Sequence, residues 1–447
     1  GRTARFIESP LRGRGVPVYL CDIPGMFDRG TDPYRDEQGM EFPDNVLRFA
    51  AFSEAVARFA GERGAFSPEV VHLHDWHSAL TAAWLRQLSS VATSVLSIHN
   101  LAYQGNADPE DFARFGLSRS YFDAGHIQDR DRYSLMKAGI VCSDATSAVS
   151  PGYAREIQTP ELGCGLHQVL SAKAAVGCLH GIVNGIDDES WNPRTDVALV
   201  RRYGVSDVLA GKHANRQALE QELGLDDDDT PLIVFIGRLT DQKGADLIAD
   251  AAAELLKLRA RYLILGVGDA WLADRLAEFA SQASSRVVFR QAFDPLLARR
   301  AIAAADLLLM PSRFEPCGMT QMYAQRYGAI PVVRRTGGLA DTVVDARDDG
   351  PDQRNATGVL FDDADSDGIL YGLRRGLRLL QDQRSRSVLQ KNGMTRRMGW
   401  DGAVKRYVRL YQALQPATRP AGHLAGQREP SLRFAMRAMQ TAPRRRS

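Results

Sequence analysis

The stretch PLIVFIGRLTDQKGADLIADAAAELL (231–256) places a short apolar strand, a polar turn and a helix in succession. Its opening run is rich in β-branched residues and ends at a glycine, and apolar residues then recur at helical spacing. The same order continues along the chain, with predicted strands at YLILG, RVVFRQAF, DLLLMPS and AIPVVRR. Short apolar strands that alternate with helices are typical of βαβ units on a parallel sheet. An α/β fold is therefore predicted for the second half of the chain.

The first half contains similar but less regular units. Apolar runs lead into polar turns at EVVHLHDW (69–76), SVLSIHN (94–100) and DATSAVSPGY (144–153). Ligands of parallel sheets bind at the carboxyl ends of the strands. The polar residues that follow these runs are therefore candidates for a binding site.

The length of 447 residues exceeds one ordinary core, so two domains are expected. The predicted divisions are a first domain at 1–205, a second domain at 206–398, a helix at 399–415 that returns to the first domain, and a disordered basic tail at 416–447.

Composition and charge exclude several classes of protein. Hydrophobic residues make up 44% of the chain and charged residues 25%, as in ordinary globular proteins. The net charge is +2, and the tail alone carries seven arginines against one glutamate, or +6, so the rest of the chain carries −4. An acidic body argues against binding to DNA or RNA, which requires a basic face.

Cysteines and hydropathy predict a cytoplasmic protein. The five cysteines are widely spaced, without a Cys-x-x-Cys pair, which argues against disulfides or zinc and fits a reducing cytosol. No apolar run is long enough to cross a membrane, and no signal peptide is visible. The acidic run DDDD (226–229) is interpreted as a solvated linker rather than a metal site.

Three elements at the carboxyl edge of the second predicted sheet suit an anion. Arg238 and Lys243 flank the turn after the first strand, and as an isolated pair they could be ordinary surface cations. The Gly-Gly turn in TGGLADT (336–342) and the helix start near Gly318 both point backbone N–H groups outward. Together they predict a diphosphate site. It is not a dinucleotide fingerprint, because GVGD (266–269) lacks the third glycine.

Glu315 is the unexpected residue in this region. It lies in PSRFEPCGMTQ (311–321), next to the helix start that should favour a negative ligand. A carboxylate at a helix amino terminus can simply be stabilised by the helix dipole. Within this constellation, however, it suits a ligand that carries another group on its phosphates.

Many blocks of the chain resemble the family of bacterial glycogen synthases and plant starch synthases. In the second half these are GRLTDQKG, PSRFEPCGMTQMYAQRYG and VRRTGGLADTV; in the first half they are PYRDEQGMEFPDNVLRF, HLHDWHSAL, SIHNLAYQG, SPGYAREIQTPELGCGL and GIVNGIDDESWNP. They occur in the order of that family and cover about residues 1–415. The resemblance implies a GT-B fold, in which two Rossmann-like domains face each other across a cleft. It also implies retaining transfer of glucose from ADP-glucose to the non-reducing end of an α-1,4-glucan such as glycogen, without a metal or cofactor.

The resemblance also implies roles for individual residues. Arg238 and Lys243 would stabilise the charge that develops on the leaving diphosphate. Glu315 would bind sugar hydroxyls and favour a cationic anomeric carbon, and His99 would line the glucose pocket. Further donor-binding residues would be Cys317, Gly318, Met319, Thr320, Thr336, Gly337, Gly338 and Asn184. Residues binding acceptor or sugar would be Asp75, Asn100, Tyr103 and Gln104.

The chain departs from the family pattern in two places. No Lys-x-Gly-Gly-Leu turn precedes FIESP (6–10), so the first domain is expected to be incomplete at its start. In FDPLLARR (293–300), Pro295 and Arg299 stand where the family has Glu and His, which could alter nucleotide contacts or only local packing. Two alternatives stay open: a synthase that uses UDP-glucose, and a catalytically impaired protein of the same fold that binds glucan or nucleotide sugar.

Overall fold

A computed structural model describes residues 3–10, 15–30, 32–37, 39–61, 66–123, 125–129, 131–226, 228–346 and 354–415. The chain divides into two compact units. The first contains the described residues up to Val149, Ala154–Gly181 and those from Tyr407 onward; the second contains Ser150–Tyr153 and Ile182–Arg406. Contacts thus assign residues from Ile182 to the second unit, whereas the predicted boundary lies at 205. The tail predicted at 416–447 lies outside the described residues.

The elements up to residue 181 are mostly short. The strands are β1 (Arg5–Pro10), β2 (Pro17–Asp22), β3 (Val70–His74), β4 (Thr93–Ile98), β5 (Asn106–Ala107), β6 (Gln128–Asp129), β7 (Arg132–Ser134), β8 (Ala145–Ala148) and β9 (Leu179–Gly181). The helices are α1 (Asn45–Gly61), α2 (Asp75–Ala79), α3 (Thr81–Gln87), α4 (Ser120–Asp123), α5 (Leu135–Cys142), α6 (Pro151–Glu156) and α7 (His167–Ala175), with a 3-10 helix at Pro109–Phe115.

A four-stranded parallel sheet in the order β3-β4-β8-β9 forms the centre of the first unit. Strands β1 and β2 form a separate antiparallel hairpin, and β5-β7-β6 form a small antiparallel sheet. Because the strands of the main sheet are parallel, β3 and β4 both end at the same edge. In HLHDWH the polar residues at 75–77 follow β3, and in SIHN those at 99–100 follow β4.

The elements after residue 181 follow a regular alternation. The strands are β10 (Leu232–Ile236), β11 (Arg261–Leu265), β12 (Val287–Arg290), β13 (Leu307–Met310), β14 (Ile330–Arg334) and β15 (Val359–Phe361). The helices are α8 (Val208–Leu223), α9 (Ala245–Asp250), α10 (Ala252–Leu255), α11 (Ala270–Ser281), α12 (Pro295–Ala304), α13 (Thr320–Arg326), α14 (Gly337–Thr342), α15 (Ser366–Gln381), α16 (Gln383–Thr395) and α17 (Trp400–Leu414), with 3-10 helices at Val205–Asp207 and Asp241–Lys243.

These strands form one six-stranded parallel sheet, which confirms the predicted α/β fold. Alternate residues of β10 enter different cores: Ile233 and Phe235 join one apolar cluster, and Leu232 and Val234 join the other. A sheet buried on both faces requires continuous apolar strands, which is why the run at 232–236 contains no polar residue.

The strand order is β12-β11-β10-β13-β14-β15. From β10 the chain moves outward to β11 and β12, and it then returns to β13 and moves the other way. The helix after β10 (α9) and the helix after β13 (α13) therefore pack on opposite faces of the sheet, in different apolar clusters. The carboxyl ends of β10 and β13 are thus the switch point of the sheet, the position at which open α/β sheets bind ligands.

A buried arginine stabilises the other edge of this sheet, at the amino ends of the strands. Arg261, at the start of β11, is fully buried and forms an ion pair of 2.8 Å with Glu220 of α8. Its guanidinium also donates to the main-chain oxygens of Asp226, Asp228 and Thr230. The acidic run predicted as a solvated linker is thus bound to the sheet through its carbonyl groups.

We predict that Arg261→Met destabilises the second unit by about 3–5 kcal/mol, because it removes the nearer of the two arginines, Arg261 and Arg216, that pair with the buried Glu220 carboxylate. Thermal and denaturant unfolding of the variant would measure the loss. Arg259→Met, at an exposed position two residues earlier, is the matched control and should change little. The pair Glu220→Gln with Arg261→Met should recover part of the loss; a stable single variant would contradict the assignment.

Candidate active site

The predicted residues fall into two groups, one in each unit. The second unit contains Asn184, Arg238, Lys243, Glu315, Cys317, Gly318, Met319, Thr320, Thr336, Gly337 and Gly338; the first contains Asp75, His99, Asn100, Tyr103 and Gln104. The candidate residues of the second unit lie mainly in loops that follow β10, β13 and β14.

The turn after β10 packs directly on the loop after β13. Gly244 ends the 3-10 turn with a φ of +68°, and a Cβ at this position would lie 2.4 Å from the Pro311 carbonyl oxygen. Only glycine satisfies both constraints. Arg313 donates its main-chain N–H to the carbonyl of Gln242, which fixes the register of the two loops.

Glu315 and Lys243 form an ion pair where the turn after β10 meets the loop after β13. The distance from Lys243 Nζ to Glu315 Oε2 is 2.5 Å, and the Glu315 residue is 4% exposed. The Ser312 hydroxyl donates to the same carboxylate oxygen over 3.2 Å. The carboxylate that looked misplaced in the sequence is therefore matched by a cation from the neighbouring loop.

Arg238 is connected to the Glu315 loop through Gln242. Arg238 Nη2 donates to the side-chain oxygen of Gln242 over 3.2 Å, and the amide nitrogen of Gln242 lies 3.4 Å from the Phe314 carbonyl oxygen. Neither Gln242 nor Ser312 was predicted from the sequence, because nothing in the local pattern distinguishes them from other polar residues of loops. The feature of the sequence that could have indicated them is their position close to the predicted cation and carboxylate.

Main-chain contacts join the loop after β13 to the start of α14. Gly338 donates its N–H to the Glu315 carbonyl over 2.9 Å, and a Cβ on Gly338 would lie 2.2 Å from the Cys317 carbonyl oxygen. Gln321 donates to the carbonyls of Cys317 and Gly318. The turn that carries Gly318 is therefore rigid.

The remaining donor-side residues surround this turn. The Cys317 thiol is buried, which raises its pKa to about 11, and it accepts a hydrogen bond from the Asn184 main chain. Thr320 is the first residue of α13, and Met319, which precedes it, is exposed. Thr336 is buried where β14 meets α14. A neutral, buried thiol suits a packing role for Cys317.

In the first unit, Asp75 organises the loop after β4. One carboxylate oxygen accepts hydrogen bonds from the main-chain N–H groups of His99, at 2.7 Å, and Asn100, at 3.4 Å. Asp75 has a φ of 52°, in the left-handed region that non-glycine residues rarely adopt. Burial raises the pKa of its carboxyl to about 6. Such backbone strain is typical of functional sites.

The other residues predicted to bind sugar differ in accessibility. The Gln104 amide is used at both ends within the unit, donating to the Cys164 carbonyl and accepting from the Ser134 hydroxyl. The Asn100 side-chain oxygen accepts from the Ala102 N–H. Tyr103 is 52% exposed. Gln104 is thus held in the loop that carries the sugar-site candidates.

Arg299 and Pro295, which depart from the family pattern, have local roles. Pro295 occupies the first turn of α12, and the Asp294 side chain caps that helix by accepting the N–H groups of Leu296 and Leu297. The Arg299 guanidinium lies 4.1 Å from the Trp191 ring centroid and 3.1 Å from Asp196. Both substitutions are accommodated by packing within the second unit.

The residues that the structure describes contain no group of three or more His, Cys, Asp or Glu side chains that could hold a metal ion. Within the same ranges, no helix combines the length and apolar character needed to cross a membrane.

Two protein families match the chain. The family described as the starch synthase catalytic domain matches residues 2–172, and the family of glycosyl transferases group 1 matches residues 230–378. Together they cover every candidate residue except Asn184.

Curated proteins named glycogen synthase are similar over most of their length. The protein of Rhizobium rhizogenes is 40% identical over 402 residues, which is 90% of this chain and 83% of that protein. The protein of Aromatoleum aromaticum is 41% identical over 414 residues, which is 91% of this chain and 83% of that protein.

Solved structures show the same fold. The catalytic domain of starch synthase IV from Arabidopsis thaliana, bound to ADP and acarbose, matches with a TM-score of 0.80 and 31% identity over 92% of this chain and 88% of that chain. Sucrose-phosphate synthase from Thermosynechococcus elongatus shares the fold at a TM-score of 0.54 and 18% identity, over 87% of this chain and 82% of that chain. The chain belongs to the family of bacterial glycogen synthases and plant starch synthases, which are glycosyltransferases of the GT-B fold.

Proposed function

We propose that this chain transfers glucose from ADP-glucose to the non-reducing end of an α-1,4-glucan, with retention at the anomeric carbon. The observation that carries the proposal is the Lys243–Glu315 pair at the switch point of the parallel sheet, with Arg238 on the same loop as Lys243. The starch synthase IV structure was solved with ADP and acarbose, which supports a nucleotide and a glucan-like ligand as partners here. The five free cysteines suit a reducing compartment, so we propose the cytoplasm as the location.

The two cations act on the leaving group. When the bond between the sugar and the diphosphate breaks, negative charge accumulates on the phosphate oxygens of ADP. Arg238 and Lys243 stabilise this charge, as do the main-chain N–H groups at Cys317–Gly318 and Gly337. The N–H of Gly338, also predicted for this role, is instead donated to the Glu315 carbonyl. Their fixed charge takes the place of a metal ion, and the reaction needs no cofactor.

Glu315 acts on the sugar. Its carboxylate is held by Lys243 on one side and Ser312 on the other, so its position is set before the donor binds. Its negative charge favours the cationic carbon of the transition state and accepts hydrogen bonds from sugar hydroxyls. Lysine has three N–H donors, so Lys243 can contact a phosphate oxygen without releasing Glu315. The further residues proposed to bind sugar are Asn184 in the second unit and, in the first unit, Asp75, His99, Asn100, Tyr103 and Gln104.

Glucosyl incorporation into glycogen, measured with ADP-glucose and UDP-glucose side by side, tests the proposal directly. Transfer from ADP-glucose should exceed transfer from UDP-glucose by at least about tenfold, a difference of about 1.4 kcal/mol in transition-state binding. Equal or better transfer from UDP-glucose would overturn the donor assignment. Absence of transfer from both would favour a glucan- or nucleotide-sugar-binding protein.

Replacing Glu315 by alanine should lower turnover by about 10²–10³-fold, the usual cost of one electrostatic group at a transition state. The Kd for ADP should stay within about threefold, because the diphosphate contacts remain. Initial rates and calorimetric ADP titration measure the two effects. Glu278→Ala, on the exposed face of α11, is the control. Unchanged turnover in Glu315→Ala would refute its role.

Lys243→Ala should weaken ADP binding and slow transfer together. The loss of one charge-assisted contact predicts a Kd for ADP that rises about 10–100-fold. Lys257→Ala removes an exposed lysine that pairs only locally with Glu254, so its kinetics and ADP affinity should equal those of the parent chain. If Lys243→Ala changes neither quantity, the diphosphate assignment is wrong.

A further inference from the structure

Two histidine rings are hydrogen-bonded to each other at the edge of the first-unit sheet. The distance from His74 Nδ1 to His99 Nε2 is 3.0 Å. His74 is the last residue of β3, and His99 follows β4, the neighbouring parallel strand. His74 was not among the residues predicted for the site, although HLHDWH places His72 and His74 on the same face of the strand.

The position of His74 is fixed from two sides. Its main-chain N–H donates to the Ser78 hydroxyl, which in turn donates to the His74 carbonyl. Its ring stacks on His72 with centroids 4.5 Å apart. His72 is held at both nitrogens, by the Tyr411 hydroxyl at 2.6 Å and the Ser97 hydroxyl at 2.7 Å. The support for His74 therefore extends from α2 to α17.

The bond imposes a relation between the protons of the two rings. Desolvation lowers the pKa of His74 and of His99, so both rings are neutral near pH 7. A neutral imidazole has one nitrogen that donates and one that accepts. The tautomers of the two rings must therefore be complementary. When His99 Nε2 carries the proton, His74 Nδ1 is unprotonated and accepts the hydrogen bond; when His74 Nδ1 carries the proton, His99 Nε2 accepts it.

We propose that His74 is a positioning residue for the transferase reaction: it fixes the ring orientation and tautomer of His99, and leaves His99 Nδ1 as the ring nitrogen offered to a sugar hydroxyl. No hydrogen bond joins His99 Nδ1 to any residue that the structure describes. The main chain of His99 is anchored separately by Asp75, so His74 is needed for the ring rather than for the loop. This inference rests on the proposed role of His99 in binding the sugar.

Two substitutions of His74 separate the hydrogen bond from packing. His74→Phe keeps an aromatic ring to stack on His72 but cannot bond His99. His74→Asn keeps a polar atom near the position of Nδ1, and an amide can either donate or accept. We expect kcat with ADP-glucose to fall about tenfold in His74→Phe and to stay within about threefold of the parent in His74→Asn. Equal losses in both variants, or a loss in neither, would overturn the inference.

A double-mutant cycle identifies the residue through which His74 acts. His99→Ala should lower kcat further than His74→Phe does, and adding His74→Phe to His99→Ala should have no additional effect. Additive losses would show that His74 acts elsewhere. Full activity in His99→Ala would instead refute the proposed sugar role of His99, a result distinct from a failure of His74.

Nitrogen chemical shifts test the coupling without any activity measurement. In protein labelled with 15N-histidine, His99 should show the separate shifts of one dominant neutral tautomer. In His74→Phe those two shifts should move toward each other, because both tautomers become populated. Unchanged His99 shifts in that variant would overturn the proposal even if turnover fell.

Discussion

The parallel pairing of β10 with β13 is the constraint on which the rest of the second unit depends. At this pair the chain reverses the direction in which it crosses the sheet, so the helices that follow the two strands pack on opposite faces. Both strands are buried on both faces, which leaves their carboxyl ends as the place where polar side chains can reach solvent. The loop after β10 supplies cations, and the loop after β13 supplies a carboxylate. Cations and a carboxylate are therefore brought together at the carboxyl edge of the sheet.

Charge compensation explains how a carboxylate and the diphosphate of the proposed donor can share one site. Glu315 alone would repel a phosphate, and Lys243 alone would leave a cation partly withdrawn from water. Paired at 2.5 Å, they form a nearly neutral unit. In the proposed reaction its two ends act on different parts of one ligand. A sugar diphosphate has a matching polarity in the transition state, with positive charge on the carbon and negative charge on the leaving oxygens.

The sequence predicted the sheet well and the connections less well. Apolar runs such as 232–236 identify buried strands because a sheet covered on both faces tolerates no polar residue. The same reasoning located Arg238, Lys243 and Glu315 at one edge. It did not find Ser312, Gln242 or His74, because their importance comes from hydrogen bonds to residues that lie close only after folding. The unit boundary at Ile182 is likewise a matter of tertiary contact, which the composition of the segment 182–205 does not reveal.

Gly244 and Gly338 limit which substitutions this site can tolerate. Each sits where a methyl group would overlap a carbonyl oxygen of the loop after β13, at Pro311 in one case and Cys317 in the other. The spacing of the three loops is therefore set by backbone touching backbone, with no side chain acting as a spacer. Exposed side chains on these loops can be exchanged without moving the neighbouring loop, whereas one added carbon at either glycine would shift two loops at once. In a library of variants, donor preference should therefore be open to engineering through side chains, provided that these two positions are kept.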